Sequence, residues 1–290
     1  MPINKVGKVL KEYPNRIWTI FNYWISFAYN ETNHSGITAL GIDETSSKKG
    51  HDYLTVAMDM DNSNVVHVTE GKGATTIAAI AEYLESKDTK KEEIGQICID
   101  LSPSFISGVT SQFKNAQITF DRYHDKVLLN KAMDQVRKNE YRIRKELKGH
   151  KYLFLKANKN LSDRQRSDRN TLLELLPTIG EAYRLTLLFD DFWKMENKED
   201  SEGFLAYWCD LVKESKIYPL IKFANTVKAH WTGIANYTSS RISNGILEGT
   251  NSKIQLAKRR ARGYRNKTNF INMIYFLCGK LKFNYSLYLA

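Results

Sequence analysis

Between residues 36 and 120 the hydrophobic pattern changes period repeatedly, and those changes limit the folds open to this chain. Residues 37–42, 53–58 and 65–68 are short β-favouring runs separated by polar turns such as Asp61-Asn62-Ser63-Asn64, so three strands are expected to follow one another as hairpins. The spacing then predicts a helix over 74–84, a buried strand over 94–99, a helix over 103–113 capped by Ser102, and a strand over 116–120. The order is βββαβαβ. Three antiparallel strands followed by strands reached through helical crossovers imply an α/β fold: a mixed sheet with helices on its faces.

The flanking segments read as helices. Residues 15–29 carry Ile17, Trp18, Ile20, Phe21, Trp24, Ile25 and Phe27, a broad apolar stripe that introduces the next domain or closes a helix-turn-helix. Beyond Arg122 the strand signal fades, and helical spacing recurs at 127–136, 172–188, 204–212 and 220–227. A helix over 245–261, a basic loop over 262–267 and an apolar helix over 270–281 end the chain. The domain reading is therefore an N-terminal helical segment (1–35), the first part of a sheet domain (36–138), a helical insertion (139–240) and a closing pair of helices (241–290).

Composition narrows the partners. Lys and Arg outnumber Asp and Glu by 43 to 32, a net charge of +11, which favours a polyanion such as nucleic acid. Residues 137–169 hold twelve Lys or Arg against four acids, and 190–202 hold six acids against two Lys; a solvated helix face explains either run as well. Cys98, Cys209 and Cys278 are odd in number and far apart, so neither a disulfide framework nor a CxxC zinc site is expected, in keeping with a reducing cytosol. No apolar run reaches the roughly 20 residues of a membrane span, and the start lacks the apolar core of a signal peptide. A cytoplasmic protein, associated with the nucleoid when on DNA, is the expectation.

Two acids end apolar strands: Asp43 in Gly41-Ile42-Asp43-Glu44 and Asp100 in Ile97-Cys98-Ile99-Asp100. On neighbouring strands their carboxylates would face one another and repel unless a cation were shared. Hard oxygen donors suit Mg²⁺ or Mn²⁺, which keep open positions for water and phosphate oxygens. Capping of a turn or helix is the alternative for either Asp. Glu248 is the only acid between Arg241 and Lys267, and Arg241, Lys253, Lys258, Arg259, Arg260, Arg262, Arg265 and Lys267 surround it in sequence. A carboxylate at the start of a helix that turns strongly basic can serve a metal while its neighbours hold phosphates. A first-turn Glu favoured by the helix dipole explains the local sequence equally well.

Five motifs occur in order: Gly-Ile-Asp43-Glu with Lys49-Gly50-His51-Asp-Tyr-Leu-Thr; Asp100-Leu-Ser-Pro-Ser; Phe120-Asp121-Arg122-Tyr123-His124; Arg241-Ile-Ser-Asn-Gly-Ile-Leu-Glu248-Gly-Thr-Asn251; and Lys258-Arg-Arg-Ala-Arg-Gly-Tyr-Arg-Asn266. Together they resemble the ISL3 family of insertion-sequence transposases over roughly residues 39–279. The resemblance implies a ribonuclease-H-like catalytic domain whose metal-binding DDE triad is Asp43, Asp100 and Glu248, with a helical insertion before the Glu. It implies two Mg²⁺ or Mn²⁺ ions, DNA cleavage and strand transfer at transposon ends, and a homodimer or larger synaptic assembly on DNA. Asp121 and His124 match an Asp-x-x-His element of several transposase groups and stand second to the triad; a helix-start Asp with a packed His is the alternative. Arg122, Lys253, Lys258, Arg259, Arg260, Arg262 and Arg265 are the expected DNA contacts. Relatives usually carry a cysteine-rich zinc module and a helix-turn-helix ahead of the sheet, and here only about 38 residues precede the strand carrying Asp43. A truncated, non-catalytic DNA-binding regulator is therefore the competing expectation.

Overall fold

The computed structural model describes residues 2–48, 50–242 and 245–283; Lys49, Ser243 and Asn244, which belong to two of the motifs above, lie outside the described residues. In chain order the elements are α1 (Ile3–Leu10), α2 (Pro14–Asn30), β1 (Ala39–Lys48), β2 (Asp52–Asp59), β3 (Asn64–Glu70), α3 (Ala74–Glu85), β4 (Gln96–Ile99), α4 (Pro103–Gln112) and β5 (Gln117–Phe120). A run of α-helices follows: α5 (Arg122–Tyr141), α6 (Lys151–Leu155), α7 (Asp163–Leu175), α8 (Pro177–Phe192), α9 (Lys198–Glu214), α10 (Tyr218–Ala229) and α11 (Trp231–Ser240). The described chain closes with α12 (Gly245–Ala261) and α13 (Lys267–Cys278).

The five strands form one mixed sheet in the order β3-β2-β1-β4-β5. β1 pairs antiparallel with β2, and β2 with β3, as hairpins require, whereas β1 runs parallel to β4 because a helical crossover separates them. The chain divides into two compact units, one of Met1–Ile118 with Ile242–Ala290 and one of Thr119–Arg241.

In the first unit, strand alternation sorts the sheet into two faces. Leu54, Val56 and Met58 lie on the face covered by α12 and α13: Leu54 and Val56 pack with Ile254, Phe270 and Ile274, and Met58 packs with Leu247. Thr55 points the other way, where its hydroxyl meets that of Thr76 in α3 at 3.2 Å. Gly108 of α4 abuts Ile77 of α3, so two helices cover that face. At the β3 edge the ring of Tyr29 stacks on Tyr83, and its hydroxyl bonds His67 Nδ1 at 2.8 Å and accepts from Tyr275 at 3.1 Å. Burial holds His67 and His34 neutral, with pKa values lowered to about 4.

The second unit is helical and has an aromatic core. Phe189, Phe192, Trp208 and Phe223 are buried together, and the buried indole N–H of Trp208 is satisfied by the carbonyl of Leu185 at 2.8 Å. The continuous helical spacing read over 172–188 is broken here: α7 ends at Leu175 and Pro177 begins α8. Proline suits the first turn of a helix but removes a donor from any interior.

One boundary bears on the site. The apolar run ends at Ile42, and the strand continues past it to Lys48. Pairing with β4 stops at Gly41, but the ladder with β2 runs on from Leu40↔Asp59 to Lys48↔Asp52. Polar residues there read as a turn, yet Thr45 and Ser47 are buried. Asp43 therefore sits within a strand, at the point where one of its two neighbours leaves it.

Candidate metal and nucleic-acid site

The parallel pairing of β1 with β4 ends two residues short of Asp43 and Asp100. Gly41 lies opposite Cys98 on the parallel strand β4, the last pair of that ladder, and Asp43 and Asp100 each follow it by two residues. Neighbouring strands are about 4.8 Å apart, and paired residues point to the same face. Both acids are half-buried. Asp43 Oδ1 accepts the Glu44 backbone N–H at 2.7 Å, and Asp100 Oδ1 accepts that of Ser102 at 2.9 Å. Ser102 occupies the cap position of α4 without a side-chain cap bond; its hydroxyl meets that of Ser104 instead.

The face that carries Asp43 is the one α12 covers. A Cβ on Gly41 would fall 2.5 Å from both Leu247 Cδ1 and Met60 Sδ, so the absent side chain lets the helix lie close on β1. Two residues along the strand, Asn251 Nδ2 donates to Asp43 Oδ2 at 2.5 Å; two further, Gln255 Nε2 donates to Thr45 Oγ1 at 2.8 Å. Lys258 Nζ then reaches the Ser46 carbonyl at 2.6 Å. Four helical residues rise about 6 Å and two strand residues about 6.6 Å, so helix and strand run side by side in matched steps.

That stripe also orients Glu248. At about 100° per residue, Thr250 and Glu248 lie on opposite flanks of the line through Leu247, Asn251 and Gln255. Thr250 Oγ1 contacts Met58 Sδ of β2 at 3.7 Å; the Glu248 flank therefore points away from β2, toward the side of β1 on which β4 lies. Glu248 is exposed. Among the described residues no group of three or more His, Cys, Asp or Glu side chains is gathered closely enough to hold a metal ion. Carboxylate oxygens are the donors a hard divalent cation takes; Asp43 and Asp100 each stand two residues past the last β1–β4 pair, and Glu248 stands in the first turn of the adjoining helix.

The basic residues divide. Lys253, Arg259, Arg260, Arg262 and Arg265 are exposed, whereas Lys258 is half-buried against Ser46 and burial lowers its pKa. Lys267 forms ion pairs with Asp52 and Glu70 at 3.0 and 2.8 Å. Arg241 donates to the carbonyls of Trp193 and Met195 within the second unit.

Asp121 and His124 form a pair in the second unit. Asp121 caps α5, accepting the Tyr123 N–H at 3.0 Å, and its second oxygen lies 2.7 Å from His124 Nδ1. A carboxylate only accepts, so the imidazole proton sits on Nδ1. Asp121 is buried, and Arg122 stacks over the Trp193 ring at 5.6 Å. One turn along, Asp125 heads the buried stripe Asp125-Leu129-Met133 with 1% exposure and no hydrogen-bond partner for either oxygen. Burial, reinforced by the nearby Asp121 charge, pushes its pKa up to about 8. Sequence reasoning missed Asp125, whose one signal is an acid at a core position of the helix. It also missed Asn251, whose signal is its place one turn after Glu248.

Among the described residues no helix is long and apolar enough to cross a membrane. Residues 40–274 match a family model described as Transposase, of the DDE type and ISL3 class. The transposase for insertion sequence element IS1001 of Bordetella parapertussis is 26% identical over 250 residues, covering 83% of this chain and 61% of that protein. The transposase for insertion sequence element IS1557 of Mycobacterium tuberculosis is 24% identical over 260 residues, covering 80% and 58%. The chain thus spans about three-fifths of the length of these curated relatives. With four-fifths of its residues inside one family model, from the strand that bears Asp43 to the last described helix, the chain belongs to the ISL3 family of DDE transposases.

Proposed function

We propose that this chain carries the catalytic domain of an insertion-sequence transposase, a ribonuclease-H-like fold that cleaves DNA at element ends and joins the freed strand to a target. The observation that carries the reading is that Asp43 and Asp100 each follow the last pair of the parallel β1–β4 ladder, Gly41 with Cys98, by two residues, with Glu248 on the helix flank turned toward the same side. These three carboxylates would hold Mg²⁺ or Mn²⁺, one ion or two. Bound there, the cations supply charge stabilisation for the attacking and leaving oxygens of an in-line phosphoryl transfer. The strands contribute rigidity: Asp43 and Asp100 are each fixed by a backbone N–H on Oδ1, so two like charges are kept in place for a cation to bridge. Glu248, exposed at the start of α12, completes the set without a second desolvation cost. Lys253, Arg259, Arg260, Arg262 and Arg265 hold the DNA backbone through phosphates and read no sequence. Asp121 fixes the orientation and tautomer of His124, which we assign to a secondary role at phosphate or target strand.

Mn²⁺-dependent nicking of supercoiled plasmid tests the reading. Asp43→Asn, Asp100→Asn and Glu248→Gln should each lower nicking by about a hundredfold or more, while Glu248→Gln changes stability by at most about 0.3 to 1 kcal/mol, the scale of a helix-dipole interaction. Wild-type rates in Glu248→Gln would remove it from the site. A wild type that binds DNA but never nicks it would favour a DNA-binding regulator instead.

A further inference from the structure

The polar ladder between α12 and β1 has one rung on a proposed metal ligand. Asn251 Nδ2 donates to Asp43 Oδ2 at 2.5 Å, whereas the next rungs, from Gln255 and Lys258, end on Thr45 and Ser46. The apolar grip of this helix is thin. Leu247 and Ile254 are its large buried side chains, seven residues apart, and between them Asn251 is the central contact with the strand. Asn251 stands one turn after Glu248, on the same helix. One short amide therefore touches the carboxylate of one element and sets the register of the helix that bears another.

We infer that Asn251 is a positioning residue for the metal site, holding the Asp43 carboxylate in one rotamer and fixing Glu248 at the height along β1 where it joins Asp43 and Asp100. This rests on the metal reading proposed above. The donor must be the amide nitrogen, because a carboxylate only accepts. Glu44 N–H donates to Oδ1 and Asn251 to Oδ2, so both oxygens of the carboxylate are oriented by a donor. Gly41 makes the arrangement possible: only a short approach of helix to strand brings a side chain of asparagine length to Asp43. Partners that orient a ligating group in this way typically contribute ten- to a hundredfold to metal affinity.

The test compares Asn251→Leu, which keeps the branched shape and removes the donor, with Gln255→Ala, which removes the next rung, and with Asp43→Asn. Two readouts are taken on the full chain: Mn²⁺ binding, from the loss of the free-ion electron paramagnetic resonance signal, and the Mn²⁺ concentration for half-maximal plasmid nicking. Asn251→Leu should weaken both by about ten- to a hundredfold, and Gln255→Ala should leave both near wild type even if both variants melt earlier. If Asn251→Leu and Gln255→Ala shift Mn²⁺ dependence equally, Asn251 is only an anchor of the helix and the inference falls. If Asp43→Asn abolishes Mn²⁺ binding while Asn251→Leu matches wild type, the inference alone falls. If Asp43→Asn matches wild type in both readouts, the metal reading fails and takes the inference with it.

Discussion

Asp125 shows how much a single side chain can set against its surroundings. It occupies the first position of the stripe that continues as Leu129 and Met133, where an apolar residue would pack, and both its oxygens lack a partner. Burial favours the neutral acid, so its pKa rises to about 8. The sign of the linkage follows. The unfolded chain loses this proton in the usual carboxylate range while the folded chain keeps it, so the contribution of this group to stability is greatest at low pH and falls by about 1.4 kcal/mol per pH unit until the folded group ionises near pH 8. Asp125→Asn, close in shape and unable to ionise, should flatten that dependence. Chemical denaturation should find the variant's stability advantage over wild type growing between pH 5 and pH 8, by on the order of a few kcal/mol. An equal effect at both pH values would mean that the acid is not held neutral. The same local geometry explains why Asp121, one turn earlier, accepts two donors and stays in the orthodox role of a helix cap.

At the scale of elements, the fit of α12 on β1 depends on what Gly41 lacks. A methyl group there would collide with Leu247 and Met60, and although both are side-chain ends that can turn aside, they are buried at 1% and 9% exposure with little room to do so. Gly41→Ala should cost about 1 to 3 kcal/mol, and Gly41→Val more, because a branched side chain must lift the helix itself. Lifting α12 draws Asn251 off Asp43, so nicking should fall further in the valine variant than its melting shift alone accounts for. Thermal melting alongside plasmid nicking checks this; full activity in Gly41→Val would show that the close approach is dispensable. Hairpin pairing likewise explains the length of β1, since apart from Thr45 the polar residues that the ladder with β2 carries, such as Asp43 and Glu44, have little strand propensity of their own.

For the whole molecule, charge is the property that reaches furthest. A net +11 and an exposed row of Lys253, Arg259, Arg260, Arg262 and Arg265 around the end of α12 favour binding through counterion release. Replacing Arg259, Arg260 and Arg262 by Ala together should weaken binding about equally for unrelated duplexes and flatten the log–log salt dependence by roughly 0.9 per lost phosphate contact. Fluorescence anisotropy across a salt series measures both, and an unchanged slope would place the DNA path elsewhere. Lys258 and Lys267 are left out of the triple variant because the fold already engages them with Ser46, Asp52 and Glu70.

Period and punctuation in the chain determined the order βββαβαβ, the helix of Glu248 and the mixed character of the sheet, because hydrophobic spacing is a local property that each segment carries wherever it packs. Motif order is likewise carried by the chain itself, and it holds the resemblance to the transposase family. Pairings between distant segments are not written locally. Only tertiary structure decided that Cys98 lies across from Gly41, two residues before Asp100 and Asp43 respectively. Only packing showed that Thr250 leans on Met58, which turns Glu248 to the other flank, and that Asn251 reaches Asp43 across 208 residues of sequence. The division of the basic residues into exposed and engaged ones was equally hidden, since Lys258 and Arg259 are neighbours with the same charge in the sequence and differ only in which side of one helix turn faces the strand.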